Sequence, residues 1–107
     1  MSALIVHCTC PDAASAERIA AALVETGLAA CVQQVPGLRS TFLWQGRVEQ
    51  ADEILLLIKT SDDRLDAVIA SVRSLHPYEL PELLAVEARG GSPAYLDWLH
   101  ARTRPDA

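Results

Sequence analysis

The stretch Ala30-Cys31-Val32-Gln33-Gln34-Val35-Pro36-Gly37-Leu38 opens an arm that continues to Trp44, turns at Gln45-Gly46 and returns from Val48 to Thr60. β-Branched and apolar residues dominate both arms, and a Gln-Gly pair between them reads as a two-residue hairpin turn. Pro36-Gly37 predicts a break or bend in the first arm. The run Ile54-Leu55-Leu56-Leu57-Ile58 predicts that the second arm is buried on both faces. An ordinary strand has about five or six residues, so this hairpin is expected to reach past the edge of its own domain.

On the N-terminal side, Leu4-Ile5-Val6-His7-Cys8-Thr9-Cys10 reads as a central strand closed by Pro11-Asp12. Asp12 is a good N-cap. Ala16, Ile19, Ala20, Leu23 and Val24 follow at helical spacing until Gly27 stops the helix. On the C-terminal side, Ser61 is expected to cap a second helix with Leu65, Val68, Ile69 and Val72 as its apolar stripe. His76-Pro77 ends it, because the residue before proline avoids helical geometry. Leu83 to Glu87 predicts a short fourth strand. Gly90-Gly91 turns the chain, and Ser92 and Pro93 start a last helix with Tyr95, Leu96, Trp98 and Leu99 on its apolar side. Arg102 to Ala107 is expected to fray.

The order is therefore βαββαβ plus one helix, an α+β ferredoxin-like plan over a single domain, residues 1–107. Right-handed crossovers place the first and third strands in the centre and the second and fourth at the edges. A long second strand at an edge leaves backbone groups unpaired, and a strand of another subunit is the natural cover.

The 107 residues carry a formal net charge of −5, and the arginines are scattered rather than clustered. This argues against nucleic acid as a partner. The longest apolar run is far too short to span a bilayer. Met1 to His7 has neither a basic n-region nor a long apolar stretch, and three cysteines make no disulfide framework. The expectation is a cytoplasmic, reducing location with free thiols.

No phosphate-cradling GxxxxGK(S/T), GxGxxG, HExxH or GxSxG is present. Cys8 and His76 could form a nucleophile pair, but nothing in the sequence specifies an orienting group or an oxyanion hole. A non-enzyme is expected. Cys8 and Cys10, two apart in a strand, face one side. They are either small buried apolar residues or a thiolate pair for a soft ion such as Cu(I), with Cys10 near an accessible strand end. Cys31 reads as core, His7 as a residue of the opposite face and His100 as solvated. His76-Pro77-Tyr78-Glu79-Leu80-Pro81-Glu82 packs an imidazole, a phenol and two carboxylates into seven residues. That loop either binds a divalent cation, or His76 caps the helix while Glu82 holds a backbone amide. Glu49, Glu53 and Glu87 read as solvent-facing or arginine-paired, and Trp44 and Trp98 as core or interface anchors.

This heptapeptide resembles the HPYExPE stretch of the CutA divalent-cation-tolerance family. Cys8-Thr9 with Pro11-Asp12 is similar to that family's CTxPD opening, and Leu28 to Val32 to its LAACV segment. Ser40 to Gly46 is similar to its SxYxWxG hairpin, with Phe42 for tyrosine. Glu53 with Lys59-Thr60, and Tyr95 to Leu99, fit its remaining motifs. The resemblance spans nearly the whole chain. It implies a homotrimer whose long hairpins pair between neighbours, and a role in tolerance of copper and other divalent cations. It implies Cys8 and His76 as copper ligands. Some members carry a histidine directly before that one, where this chain has Leu75, and Cys10 is expected to supply the missing ligand. The family's trimer also resembles PII signalling proteins in shape. An alternative is therefore a sensor or scaffold whose inter-subunit cleft, lined by Lys59, Tyr78, Glu79 and Glu82, takes an anion, a polar ligand or a partner protein.

Overall fold

A computed structural model describes residues 1–105 of the chain. Four strands, β1 (Ala3–Cys10), β2 (Cys31–Trp44), β3 (Arg47–Ser61) and β4 (Leu84–Glu87), form one antiparallel sheet in the order β2-β3-β1-β4. Three α-helices, α1 (Ala13–Glu25), α2 (Leu65–Leu75) and α3 (Pro93–Arg102), complete the α+β fold. The expected strand order holds.

Helix α1 starts where Asp12, in extended backbone, accepts a 2.8 Å hydrogen bond from the Ser15 amide. Its buried face is Ser15, Ala16, Ile19, Ala20 and Leu23. Val24 falls on the exposed side, one residue round from Leu23. Ile19, Leu23, Val68 and Val72 pack on Val6, Cys8, Cys10, Leu56 and Ile58 to form the main core. Fully burying one leucine or isoleucine there stabilises the fold by roughly 1.5–3 kcal/mol.

Only one face of the sheet is covered by helices. Leu56 and Ile58 are fully buried, whereas Leu55 and Leu57, which alternate with them, are half-buried on the uncovered face. Ile5, Val35, Leu84 and Val86 lie on that same uncovered face. Within one chain, β3 is thus covered on one side, not on both as its apolar run predicts.

The β2–β3 hairpin is 14 residues against 15, and the chain extends 44 Å along its longest axis. Gln45 and Gly46 both have positive φ, 51° and 78°, as a hairpin turn twisted with its strands requires. At Pro36-Gly37 β2 does not break. It carries a bulge between Val35 and Leu38, with Gly37 at φ 86°.

Helix α2 departs from expectation. Asp62–Arg64 form a 3₁₀ turn first, and α2 begins at Leu65. The Asp62 amide is held by the Ser2 carbonyl at 2.9 Å, and the Ser61 hydroxyl is spent on Asp63 and Thr103. Ser61 therefore caps no helix. Thr103, expected to fray, is 1% exposed and bonds the Leu99 carbonyl at 3.0 Å. The last two residues of that tail lie outside the described residues. On α3 only Leu96 and Leu99 turn inward. Tyr95 and Trp98 are 44% and 40% exposed and lean on each other at 5.6 Å.

Candidate metal centre

Strand alternation puts Cys8 and Cys10 on the helix-covered face of β1, opposite Leu56 and Ile54 of β3. Both are fully buried. Cys10 is therefore no accessible strand end, because α1 and the loop after α2 close over it. His76, the residue after α2, is 8% exposed and points back at the end of β1. The fold thus brings an imidazole to two sulfurs from the far half of the chain, Cys10 and His76 being 66 residues apart. One ligand atom each from Cys8, Cys10 and His76 lie within 4.8 Å of one another.

Hydrogen bonds fix the imidazole. The Tyr78 amide donates to Nδ1 at 3.0 Å, so Nδ1 carries no proton. Nε2 is then the protonated nitrogen and donates to the Thr9 carbonyl at 2.7 Å. The same Nε2 lies 3.7 Å from the Cys10 sulfur. The His76 imidazole thus closes the end of β1 rather than capping α2, whose last turn is met by the His76 backbone amide donating to the Val72 carbonyl. Among the described residues Glu82 holds no backbone amide, so the capping reading of the heptapeptide does not hold.

The sulfurs differ in acidity. A hydrogen bond to Cys10, burial and the nearby charge of Cys10, Glu82 and Glu53 push the Cys8 thiol up. Cys10 is lowered, chiefly by accepting from Cys8 and also by Ser15, against the cost of burial. Cys10 is the sulfur that releases its proton first. Thiolate is the form that binds metal. An ion about 2.3 Å from each of two thiolates holds them no more than roughly 4.6 Å apart, so the cluster needs only small movements to close round one. The donors fit a soft ion.

Beside the cluster lies a hollow of about 880 Å³ between the hairpin and the loop after His76. Thr9, Phe42, Trp44, Tyr78 and the carboxylates of Glu49, Glu53, Glu79 and Glu82 line it, and among the described residues no lysine, arginine or histidine does. The Tyr78 phenol donates to Glu53 Oε2 at 2.8 Å. Burial and that bond push its pKa up to about 12. Glu53, read from sequence as solvent-facing or arginine-paired, is 7% exposed and among the described residues pairs with no arginine. Its signal was its place beside an apolar run, on the face shared with Leu55 and Leu57.

Tyr78, Glu79 and Glu82 thus come together, and Lys59 does not join them. It sits six residues beyond Glu53 on β3, roughly 20 Å along the strand, where its ammonium donates to Gln33 Oε1 at 2.7 Å. Cys31 is half-exposed rather than core, since it lies on the uncovered face. His7 lies on that face as expected. His100 is half-buried, its Nδ1 without a hydrogen-bond partner, rather than solvated.

The family profile of the CutA1 divalent ion tolerance protein matches residues 4–102. The chain belongs to the CutA1 divalent ion tolerance family. Among CutA relatives, the divalent-cation tolerance protein CutA of Pectobacterium atrosepticum is 44% identical over 102 residues, covering 95% of this chain and 93% of that one. The crystal structure of CutA from Xylella fastidiosa superposes with a TM-score of 0.94 at 45% identity, covering 97% of this chain and 100% of the other. That of CutA1 from Oryza sativa does so with 0.95 at 38% identity, covering 98% and 96%. The CutA1 fold is therefore matched along essentially its whole length.

Proposed function

We propose that this divalent-cation tolerance protein acts by binding copper at Cys8, Cys10 and His76, as a homotrimer in a reducing cytoplasm. The observation that carries the reading is the cluster itself, with two sulfurs and an imidazole nitrogen within 4.8 Å in the dry core. Thiolates and imidazole suit copper, and copper heads the divalent affinity order. The action is binding rather than catalysis: the buried thiols face core side chains, not a cleft with room for a substrate.

Assembly is supported by the uncovered sheet face. Leu84 and Val86 are 64% and 45% exposed, and Leu43 and Val48 near the hairpin tip 71% and 73%. So much apolar surface is unusual on a monomer. The number three comes from the resemblance of the motifs.

The test is a competitive copper titration against a chelator of known affinity on wild type, Cys8→Ser and His76→Ala, with the assembly mass measured for each. Binding weakened in both variants, with assembly intact, supports the site. Copper binding unchanged in both variants removes it.

The hollow favours a second reading, a PII-like sensor or scaffold. Its four carboxylates suit a cationic ligand or partner rather than the anion that Lys59 suggests. On this reading Glu53→Gln alters ligand response while Cys8→Ser leaves it unchanged.

A further inference from the structure

We infer that the hollow between the hairpin and the loop after His76 binds a linear aliphatic polyamine, its ammonium groups on separated carboxylates and its methylene chain along the aromatic wall. The inference rests on the sensor reading of the hollow and names the class of its ligand.

Glu53 carries the case for a bound cation. It lines the hollow and is 7% exposed. The Tyr78 phenol donates to Oε2, and among the described residues nothing donates to Oε1. Among those residues the sealed polar side-chain atoms without a partner are Arg64 Nε and His100 Nδ1. Oε1 therefore keeps contact with open space, and the hollow is the space that Glu53 lines. A carboxylate taken this far out of water needs a countercharge or further donors. Among the described residues no lysine, arginine or histidine lines the hollow, while Glu49, Glu79 and Glu82 deepen its negative potential. Arg47, opposite Trp44 at the hairpin turn, stands outside the lining. An ammonium group supplies both a charge and donors.

The spacing of these groups separates an organic polycation from a metal ion. Hard divalent ions need several oxygens converging on one point. Among the described residues Cys8, Cys10 and His76 form the sole group of three or more convergent ligands, so no three of the hollow's carboxylates come together. Glu49 and Glu53 share one side of β3 but lie roughly 13 Å apart along it. Phe42 and Trp44 share the adjoining side of β2, with Phe42 directly beside Glu49. Carboxylates set apart with rings among them match ammonium groups set apart by methylenes. The rings take the methylenes and the faces of the cations. A monoamine meets one such carboxylate, whereas a polyamine meets several for a single loss of translational freedom. The volume of about 880 Å³ lies in the usual range of small-molecule sites.

The experiment is titration calorimetry of the assembled protein with spermidine, butylamine and Mg(II), at physiological ionic strength to suppress diffuse attraction. It is run on wild type, Glu49→Gln, Glu53→Gln, Trp44→Ala and Glu25→Gln, with a thermal melt and the assembly mass confirming that each is folded. Glu49 is exposed, so its variant tests the site without disturbing the core. Glu25, at the end of α1, lies outside the hollow, and its variant removes the same charge. Wild type is expected to bind spermidine at least about tenfold more tightly than butylamine or Mg(II). Glu49→Gln and Glu53→Gln are each expected to cost spermidine affinity about tenfold, the worth of one hydrogen bond to a charged group. Trp44→Ala is expected to cost about threefold, and Glu25→Gln nothing. Equal losses in Glu25→Gln and Glu53→Gln mean diffuse attraction to an acidic protein and overturn the inference. Spermidine affinity unchanged in both Glu49→Gln and Glu53→Gln overturns it too. If Mg(II) or butylamine binds as tightly as spermidine, and only the Glu49 and Glu53 variants lose it, the hollow stands as a cation site and this inference alone falls. If wild type binds none of these cations, both fall.

Discussion

The phenol of Tyr78 donates to Glu53 at 2.8 Å, and among the described residues no cation pairs with that carboxylate, although it is 7% exposed. A carboxylate this buried depends on its hydrogen-bond donors. Tyr78→Phe is expected to destabilise the fold by about 1–3 kcal/mol, the cost of leaving a buried acceptor unmet. Glu53→Gln keeps an acceptor oxygen and loses the charge, so its effect is expected to be smaller. Urea denaturation midpoints report both, and equal stability of wild type and Tyr78→Phe contradicts the account.

The same bond sets an alkaline limit. The Tyr78 pKa is raised from 10.0 to about 12, first by burial and then by the bond to Glu53. A raised pKa means that the folded state keeps a proton the unfolded chain loses. Its contribution is full below pH 10 and is lost as pH rises toward 12. Wild type is expected to lose stability across that window more steeply than Tyr78→Phe. Thermal melts at stepped pH check this, and parallel curves for the two proteins count against it.

At the start of α1, Asp12 accepts from the Ser15 amide at 2.8 Å. Asp12→Ala is expected to cost about 1 kcal/mol, and Asp12→Asn only a fraction of that. The helix it caps covers Cys8 and Cys10, so native-state hydrogen exchange in α1 is expected to speed up as well. Unchanged exchange there would show that packing alone holds the helix.

Leu57 stands on the uncovered sheet face, half-buried within a single chain. If that face is closed by other copies, Leu57→Glu puts a charge in the contact and is expected to yield monomer. Light scattering gives the mass, to be compared with multiples of 11.6 kDa. An assembly that survives Leu57→Glu unaltered places the contact elsewhere.

Most of the sheet was legible because its signals are local. Asp12, Gly27, Gln45-Gly46 and Ser92 each punctuate the chain where a helix or strand changes, and period-two alternation in β1 placed both cysteines on one face. What was hidden depends on residues distant in sequence. Glu53 reads as a surface glutamate until the loop after α2 lays Tyr78 over it. Tyr95 and Trp98 read as an apolar stripe, yet Leu96 and Leu99 take the inward positions and the two rings face out. The Ser61 hydroxyl bonds Thr103, 42 residues away, and no local pattern around Ser61 announces that partner. Lys59 was misplaced because a motif gives the order of its residues without their separation along a strand.

The bulge in β2 is a matter of parity. Before it, Val35 stands opposite Leu55; after it, Leu38 stands opposite Glu53, so two residues of one arm span a single residue, Ile54, of the other. That extra residue exchanges odd for even along the rest of the arm. It puts Phe42 beside Glu49 and Leu38 beside Glu53, on the side that lines the hollow. The same arm paired without the bulge would set Thr41 opposite Glu49 and Leu43 opposite Arg47 and turn the aromatic rings to the opposite side, whereas loss of one residue at Pro36 or Gly37 would remove the bulge and leave Phe42 beside Glu49. The composition of that wall is thus set by where the two arms fall out of step as much as by which residues they contain.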